Sequence, residues 1–249
     1  MADYLPLCAF RQGLLPADCR SCAWWQTTGN ERLAAEQTIE KRRQWTAAVE
    51  KSWGSTGLLL QGSALPGGGP PADAAHRGGA PSPAIAAAVS YAPPAAVPRL
   101  RELAFGALPP ESAFLFCLKV EEGYTRFLPR RVLHKALAQL RGRGVEEVFA
   151  VAASGSPHPG AEDSGARADG AGPANGASPD CADDECRFFS LEFLAANGFE
   201  QVTVNGDLVL MRADVRGLLS LVGQVGTAMR RALHDALAPS PALWSRRGS

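Results

Sequence analysis

Residues 113–133 of this chain read A-F-L-F-C-L-K-V-E-E-G-Y-T-R-F-L-P-R-R-V-L. The first eight residues are continuously apolar from Phe114 to Leu118, which is typical of a strand buried on both faces of a sheet. The remainder predicts a loop and then a helix, because Pro129 is favoured in a first helical turn and an apolar stripe follows it. We therefore expect a strand–loop–helix unit at the centre of an α/β domain.

Apolar runs and helical spacings alternate on both sides of this unit. Further strands are predicted at 22–26, 57–61, 84–91, 145–152, 201–204 and 207–212. Helices are predicted at 31–52, from Pro129 to either Gly142 or Gly144, at 188–197 and at 213–238. Gly54 is expected to end the first helix. After the third helix, Gly198 can adopt the left-handed conformation of a C-terminal cap, and Phe199 can be its apolar partner.

Composition narrows the function classes. The chain has 249 residues, with 25 basic and 25 acidic side chains and a formal net charge of zero. A balanced charge disfavours nucleic-acid binding, because phosphate neutralisation needs a basic surface. No apolar run approaches the roughly 20 residues that span a bilayer, and the first ten residues lack a signal-peptide pattern. We expect a cytoplasmic protein with neither a nucleic-acid nor a membrane partner.

Two Gly/Pro-rich stretches interrupt the pattern, and they are predicted to be flexible insertions that folding does not require. The predicted organisation is an N-terminal segment with the first strand (1–30), a main domain (31–212) with insertions at 62–84 and 154–180, a C-terminal helix (213–238) and a tail (239–249).

Cysteines occur at positions 8, 19, 22, 117, 181 and 186. They are too sparse for a secreted disulfide framework, so reduced thiols are expected. Cys19 and Cys22 have the spacing of half a zinc knuckle, and Cys181 and Cys186 form a second, looser pair. We predict no structural metal, because only one pair is tight; a zinc-stabilised interaction domain is the alternative that these four thiols leave open.

Several motifs resemble the GNAT superfamily of N-acetyltransferases, and in particular a little-studied bacterial branch of it. The element order is that of the GNAT fold. F-L-A-A-N-G-F at 193–199 is similar to the F-Y-x-x-x-G-F that ends a GNAT helix, and 118–133 occupies the place of the acetyl-CoA strand, pyrophosphate loop and helix start. The stretches C-R-S-C-A-W-W (19–25), W-G-S-T-G (53–57), Y-A-P-P-A-A-V-P-R (91–99) and C-R-F-F-S-L-E-F-L (186–194) add to the resemblance. It implies a mixed central sheet flanked by helices, with a C-terminal helical extension.

The resemblance also implies a function, which is transfer of an acetyl or acyl group from acetyl-CoA or another acyl-CoA to an amine of a small molecule or a protein. The implied coenzyme-binding residues are Leu118, Val120, Thr125, Arg126, Phe127, Leu128, Arg130 and Arg131. The family's loop glycines are replaced here by Leu128 and Arg130, and Pro129 lacks a backbone donor. We expect either that these bulky residues block the phosphate site, or that arginine side chains replace the backbone amides.

The catalytic groups implied by the resemblance are incomplete. The tyrosine that can protonate the coenzyme thiolate is replaced by Leu194. Glu121 and Glu122 are the candidate general bases, and Cys186 is a candidate to face the thioester. Tyr91 and Arg99 are candidate contacts for the acceptor. A degenerate GNAT domain that acts as a binding or regulatory module therefore remains the alternative to an acyltransferase.

Overall fold

The structure is a computed structural model, and it describes residues 3–29, 31, 33–62, 85–121, 124, 127–154 and 187–216. Most of both predicted insertions, and the predicted C-terminal helix from residue 217 onward, lie outside the described residues. The described helices include none with the length and apolar character needed to cross a membrane.

A single mixed sheet organises the described residues. Its strands are β1 (Tyr4–Pro6), β2 (Gly57–Gln61), β3 (Ile85–Ala92), β4 (Ala113–Val120), β5 (Glu147–Ala153), β6 (Phe189–Ser190), β7 (Glu200–Asn205) and β8 (Leu208–Asp214). Their order is β1-β2-β3-β4-β5-β8-β7, with the short β6 paired to β5. The β4–β5 and β5–β6 pairs are parallel and the other pairs are antiparallel.

Helices cover both faces of this sheet. They are α1 (Ala17–Arg20), α2 (Ala35–Trp53), α3 (Leu128–Gly142) and α4 (Leu191–Ala196), with short 3-10 turns between them. The apolar stripe of α3 packs on Ala113 and Leu115 of β4 in the main core. Phe114 and Phe116 point to the other face, where they join an aromatic cluster with Trp45 of α2. The predicted α/β class, a mixed sheet flanked by helices, is confirmed.

The prediction of a strand at 22–26 is wrong. Trp24–Gln26 is a 3-10 turn, and the first strand of the sheet is β1. Trp24 and Trp25 are neighbours whose rings meet each other edge-on at 4.6 Å, and both also pack against Phe188, a placement that the alternating sides of a strand do not allow. The preceding carbonyl of Cys22 accepts a hydrogen bond from Arg42 of α2 at 2.7 Å, so it is not available to a strand partner.

Two predicted helix ends are confirmed in detail. Gly54 follows α2 with φ of 103°. After α4, Gly198 has φ of 83° and donates to Ala195 O at 3.0 Å, while Phe199 donates to Leu194 O at 3.1 Å. This is the Schellman arrangement, and it buries Phe199 as the apolar partner of the cap.

Gly57 at the start of β2 has no room for a side chain. A Cβ at this position would lie 2.1 Å from the carbonyl oxygen of Val89 and 3.1 Å from Cδ2 of Leu7. We expect Gly57→Ala to lower the free energy of unfolding by about 1–3 kcal/mol, since the strand backbone must move to relieve the clash. The measurement is the urea midpoint. Gly142→Ala is the control, because a Cβ there meets nothing within 4 Å; equal midpoints for the two variants would contradict the prediction.

Candidate functional site

The parallel strands β4 and β5 separate after a short paired stretch. They pair where Ala113 faces Val148, where Phe114 faces Phe149 and where Leu115 faces Ala150, and no further. The other edge of β4 stays paired to β3 as far as Val120. Among the described residues, no strand therefore pairs with the β5-facing edge of β4 at residues 116–120. Because β6 pairs with Ala152 and Ala153 on the β4 side of β5, an opening remains between this free edge and the β6–α4 segment; we call it the β4 cleft.

A β-bulge in β4 determines which of its side chains lie on the α3 side of the sheet next to the cleft and which lie on the opposite, aromatic side. Ser90 of β3 lies opposite Cys117, whereas Tyr91 lies opposite Leu115, so Phe116 is the extra residue. Beyond the bulge, Leu118 packs on the α3 side of the sheet, and Phe116 and Cys117 pack on the aromatic side. The bulge thus turns two consecutive side chains away from α3.

The α3 side of the β4 cleft is apolar and half-buried. Side chains from β4, from the segment between β4 and α3, and from α4 pack against the main core and remain partly exposed. They are Leu118, Val120, Tyr124, Leu191 and Phe193. The Phe193 ring stacks on Phe189 of β6 with centroids 6.4 Å apart. This surface suits a flexible, largely apolar ligand arm that also carries polar groups for the free strand edge.

The start of α3 differs from the sequence expectation. Leu128 is 1% exposed and packs in the main core, so the expectation that its side chain would block a phosphate site is wrong. Arg130 and Arg131 are exposed in the first turn, and Phe127 is 61% exposed at the N-cap. Two charged side chains therefore stand at a helix N-terminus, which itself favours anions. Of the other predicted coenzyme residues, Thr125 and Arg126 lie outside the described residues.

Sequence reasoning missed one polar contact beside this helix start. His134 lies one turn after Arg130 on α3 and is half-buried. Burial lowers the pKa of His134, the charge of Arg130 lowers it further, and a hydrogen bond with Asn197 acts in the opposite direction. Asn197 follows α4 and donates to Phe193 O at 2.7 Å. The four-residue spacing of His134 from Arg130 indicates that the two residues are neighbours on α3. The sequence did not show that Asn197, after α4, lies close to His134.

The candidate acid and base positions are placed unevenly. Glu121 directly follows β4, its backbone N–H donates to Ala86 O at 3.0 Å, and its buried Oε1 atom has no hydrogen-bond partner among the described residues. Glu122 and Cys186 lie outside the described residues. Leu194 is fully buried in the main core. Its position therefore contributes packing, and the only candidate base described by the structure is Glu121.

The two candidate acceptor contacts are structural. Tyr91 is fully buried, which raises its pKa to about 12. Arg99 is paired with Glu102 at 2.7 Å, donates to Trp24 O at 3.2 Å and lies over the Trp24 ring. Neither side chain is free to bind an acceptor.

Within the part of the chain that the structure describes, no group of three or more His, Cys, Asp or Glu residues is arranged to hold a metal ion. Cys181 and Cys186, which the zinc alternative requires, lie outside it.

Comparison with known proteins gives likenesses of fold. No family model matches the sequence, and no curated protein matches it. Among solved structures, the chain is similar to the PaiA N-acetyltransferase of Thermoplasma acidophilum in complex with coenzyme A, with 11% identity, a TM-score of 0.43, and coverage of 86% of this chain and 99% of that one.

Two further structures are similar over 86% of this chain. A GNAT-family protein from Desulfovibrio desulfuricans has 13% identity, a TM-score of 0.39 and 99% of its own length covered. The ribosomal-protein-S18-alanine N-acetyltransferase of Escherichia coli has 14% identity, a TM-score of 0.37 and 94% covered. The TM-scores are low, and the assignment of the site rests on the β4 cleft and the start of α3.

Proposed function

We propose that this chain is an acyl-CoA-dependent N-acyltransferase of the GNAT type, which transfers an acetyl or acyl group to an amine. The observation that carries the proposal is the separation of β4 from β5, since it leaves residues 116–120 with free backbone groups inside an apolar cleft. The pantetheine arm of coenzyme A has two amide groups, and these can pair with a free strand edge as an added strand would.

The start of α3 supplies the other half of a coenzyme site. A helix of this length concentrates partial positive charge at its N-terminus, where unpaired backbone N–H groups bind phosphate. Pro129 removes one of these donors. Arg130 and Arg131 compensate with guanidinium groups, which form charge-assisted hydrogen bonds with phosphate oxygens. In this proposal Leu118 and Val120 contact the arm, Phe127 and Leu128 act through their backbone, and Thr125 and Arg126 belong to the same phosphate site.

The reaction requires little chemistry from the protein. The acceptor ammonium first loses a proton to a base, and the neutral amine then attacks the thioester carbonyl carbon. The new C–N bond forms, the C–S bond breaks, and the coenzyme leaves as a thiolate, which takes up the second proton released by the attacking nitrogen. Glu121, at the end of β4, is the proposed base, with Glu122 as its alternative. Because Leu194 offers no proton to the leaving thiolate, we propose that catalysis relies mainly on holding the two reactants in place.

Acetyl-CoA is expected to stabilise the folded chain. A ligand present at about 100 times its dissociation constant raises the free energy of unfolding by about 2.7 kcal/mol. Each kcal/mol raises the Tm of a chain of this size by about 2–4 °C. We therefore expect a rise of about 5–10 °C in a thermal melt, with adenosine as the control ligand that lacks the phosphates and the arm. No shift with acetyl-CoA or with free coenzyme A would contradict the coenzyme site.

A specific observation favours the alternative of a catalytically degenerate binding or regulatory module. Leu194 is a core residue rather than a proton donor, and the phosphate loop lacks its glycines. The two functions differ in turnover. The acyltransferase releases free coenzyme thiol when acetyl-CoA is mixed with a panel of amines. The degenerate module releases none, whether or not it still binds the coenzyme. The loop is better tested by Arg130→Gly alone than by changing both Leu128 and Arg130 to glycine, because Leu128→Gly would remove a side chain from the core.

A further inference from the structure

The ring of Trp25 lies beside the point where β4 and β5 separate. On β4, their pairing ends at Leu115. Trp25 packs on the residues on either side of Leu115, with its ring centroid 5.1 Å from that of Phe114 and 6.0 Å from that of Phe116. Its centroid is also 6.0 Å from that of Phe188, the residue before β6. Trp25 therefore contacts segments on both sides of the β4 cleft, from the aromatic side of the sheet.

The indole N–H of Trp25 is a buried donor. Trp25 is 4% exposed, and its Nε1 atom has no hydrogen-bond partner among the described residues. Trp45, in the same aromatic cluster, shows the usual arrangement, since its Nε1 donates to Ala96 O at 2.6 Å. Burying a donor without pairing it is costly, so most buried donors of a folded protein are paired. The exception at Trp25 is explained if a bound ligand supplies the acceptor.

The coenzyme site would place an acceptor at this position, so the inference rests on the proposed function. In that site the phosphates lie at the start of α3, which follows β4 in the chain. The pantetheine arm then runs along the free edge of β4 from Val120 towards Phe116. Its thioester end reaches the point where β4 and β5 separate, beside the Trp25 ring. A thioester carbonyl oxygen accepts hydrogen bonds, and it gains negative charge when an amine adds to the carbonyl carbon.

We propose that Trp25 holds the carbonyl oxygen of the bound acyl group through a hydrogen bond from its Nε1–H. Trp25 keeps its proton throughout, while the oxygen gains negative charge as the C–N bond forms and loses it as the C–S bond breaks. A donor that is already fixed in position stabilises such a charge without reorganising during the reaction. The packing of Trp25 between Phe114 and Phe188 supplies that fixed position.

The test compares acetyl-CoA with S-ethyl-coenzyme A, a thioether with the same arm and phosphates but no carbonyl oxygen. In titration calorimetry, we expect the wild type to bind acetyl-CoA about three- to tenfold more tightly, the effect of one net hydrogen bond. Trp25→Phe keeps an aromatic ring and removes the N–H, so it should remove most of this preference. Trp45→Phe is the matched control. It removes a paired indole N–H from the same cluster, and it should keep the preference.

A second variant covers the case in which Trp25→Phe folds poorly. Trp25→3-benzothienylalanine keeps the shape of the ring and replaces the N–H by sulfur, so the same comparison of the two ligands applies to it.

The possible failures are distinguishable. A wild type without a preference, or a preference that Trp25→Phe leaves unchanged, would show that Trp25 does not hold the carbonyl oxygen. An equal loss of affinity for both ligands would give Trp25 a packing role only. Each of these results overturns the inference and leaves the coenzyme site in place. A wild type that binds neither ligand would contradict the coenzyme site itself, and the inference with it.

Discussion

Replacing Arg130 and Arg131 together by alanine is expected to weaken acetyl-CoA binding roughly a hundredfold or more. A charge-assisted contact with phosphate contributes about 1.5–3 kcal/mol, so the loss of each arginine should raise the dissociation constant about tenfold or more. Arg130→Ala alone should therefore weaken binding about tenfold or more. Both side chains are exposed in the first turn of α3, so their removal should leave folding intact. Titration calorimetry of the wild type and the two variants measures the effect.

Arg141→Ala is the matched control, because Arg141 is an exposed arginine at the other end of the same helix. It changes the net charge by the same amount as Arg130→Ala, and we expect it to leave the dissociation constant nearly unchanged. If the wild type binds and the double variant binds equally well, backbone N–H groups hold the phosphates and the assignment to the arginines is wrong. If neither binds, the chain is a descendant of the fold that has lost the coenzyme.

The parts of the fold that could be predicted are those specified by local sequence. The predicted bounds of β2 and β4 agree with the structure because both are uninterrupted apolar runs. The end of α4 was predictable because Gly198 can adopt a positive φ at no steric cost. Each of these features depends on residues within one short window.

The missed features depend on contacts between distant residues. β1 has only three residues, one of them Pro6, and is too short to show the alternating pattern of a strand. It forms because it pairs with β2. Residues 22–26 have the composition of a strand, but Arg42 of α2 binds the carbonyl of Cys22. A motif alignment placed Leu128 at a loop glycine, but it could not show that the side chain turns into the core.

Arg42→Ala is expected to produce the largest loss of stability among the substitutions considered. The Arg42 side chain joins α2 to Gln12 and to the carbonyl oxygens of Cys19 and Cys22, so it fixes the N-terminal segment that packs on the sheet. Hydrogen bonds to a charged group contribute about 1.5–3 kcal/mol each, and a buried acceptor left without a partner costs about 1–3 kcal/mol. After partial relaxation we expect a loss of about 3 kcal/mol or more, measured as a lower urea midpoint at unchanged slope.

Arg43→Ala is the control for this substitution, since Arg43 is the next residue on α2 and is exposed. Among the described residues, its one ion-pair partner is Glu40, one turn earlier. Exposed ion pairs of this kind contribute little to stability, so its midpoint should match that of the wild type. Arg42→Lys should fall between the two, because an ammonium group retains the charge but cannot reach several carbonyl oxygens with a planar fork. Equal midpoints for the Arg42→Ala and Arg43→Ala variants would show that the N-terminal segment is held by its apolar contacts alone, chiefly those of Leu7, Leu15 and Cys19.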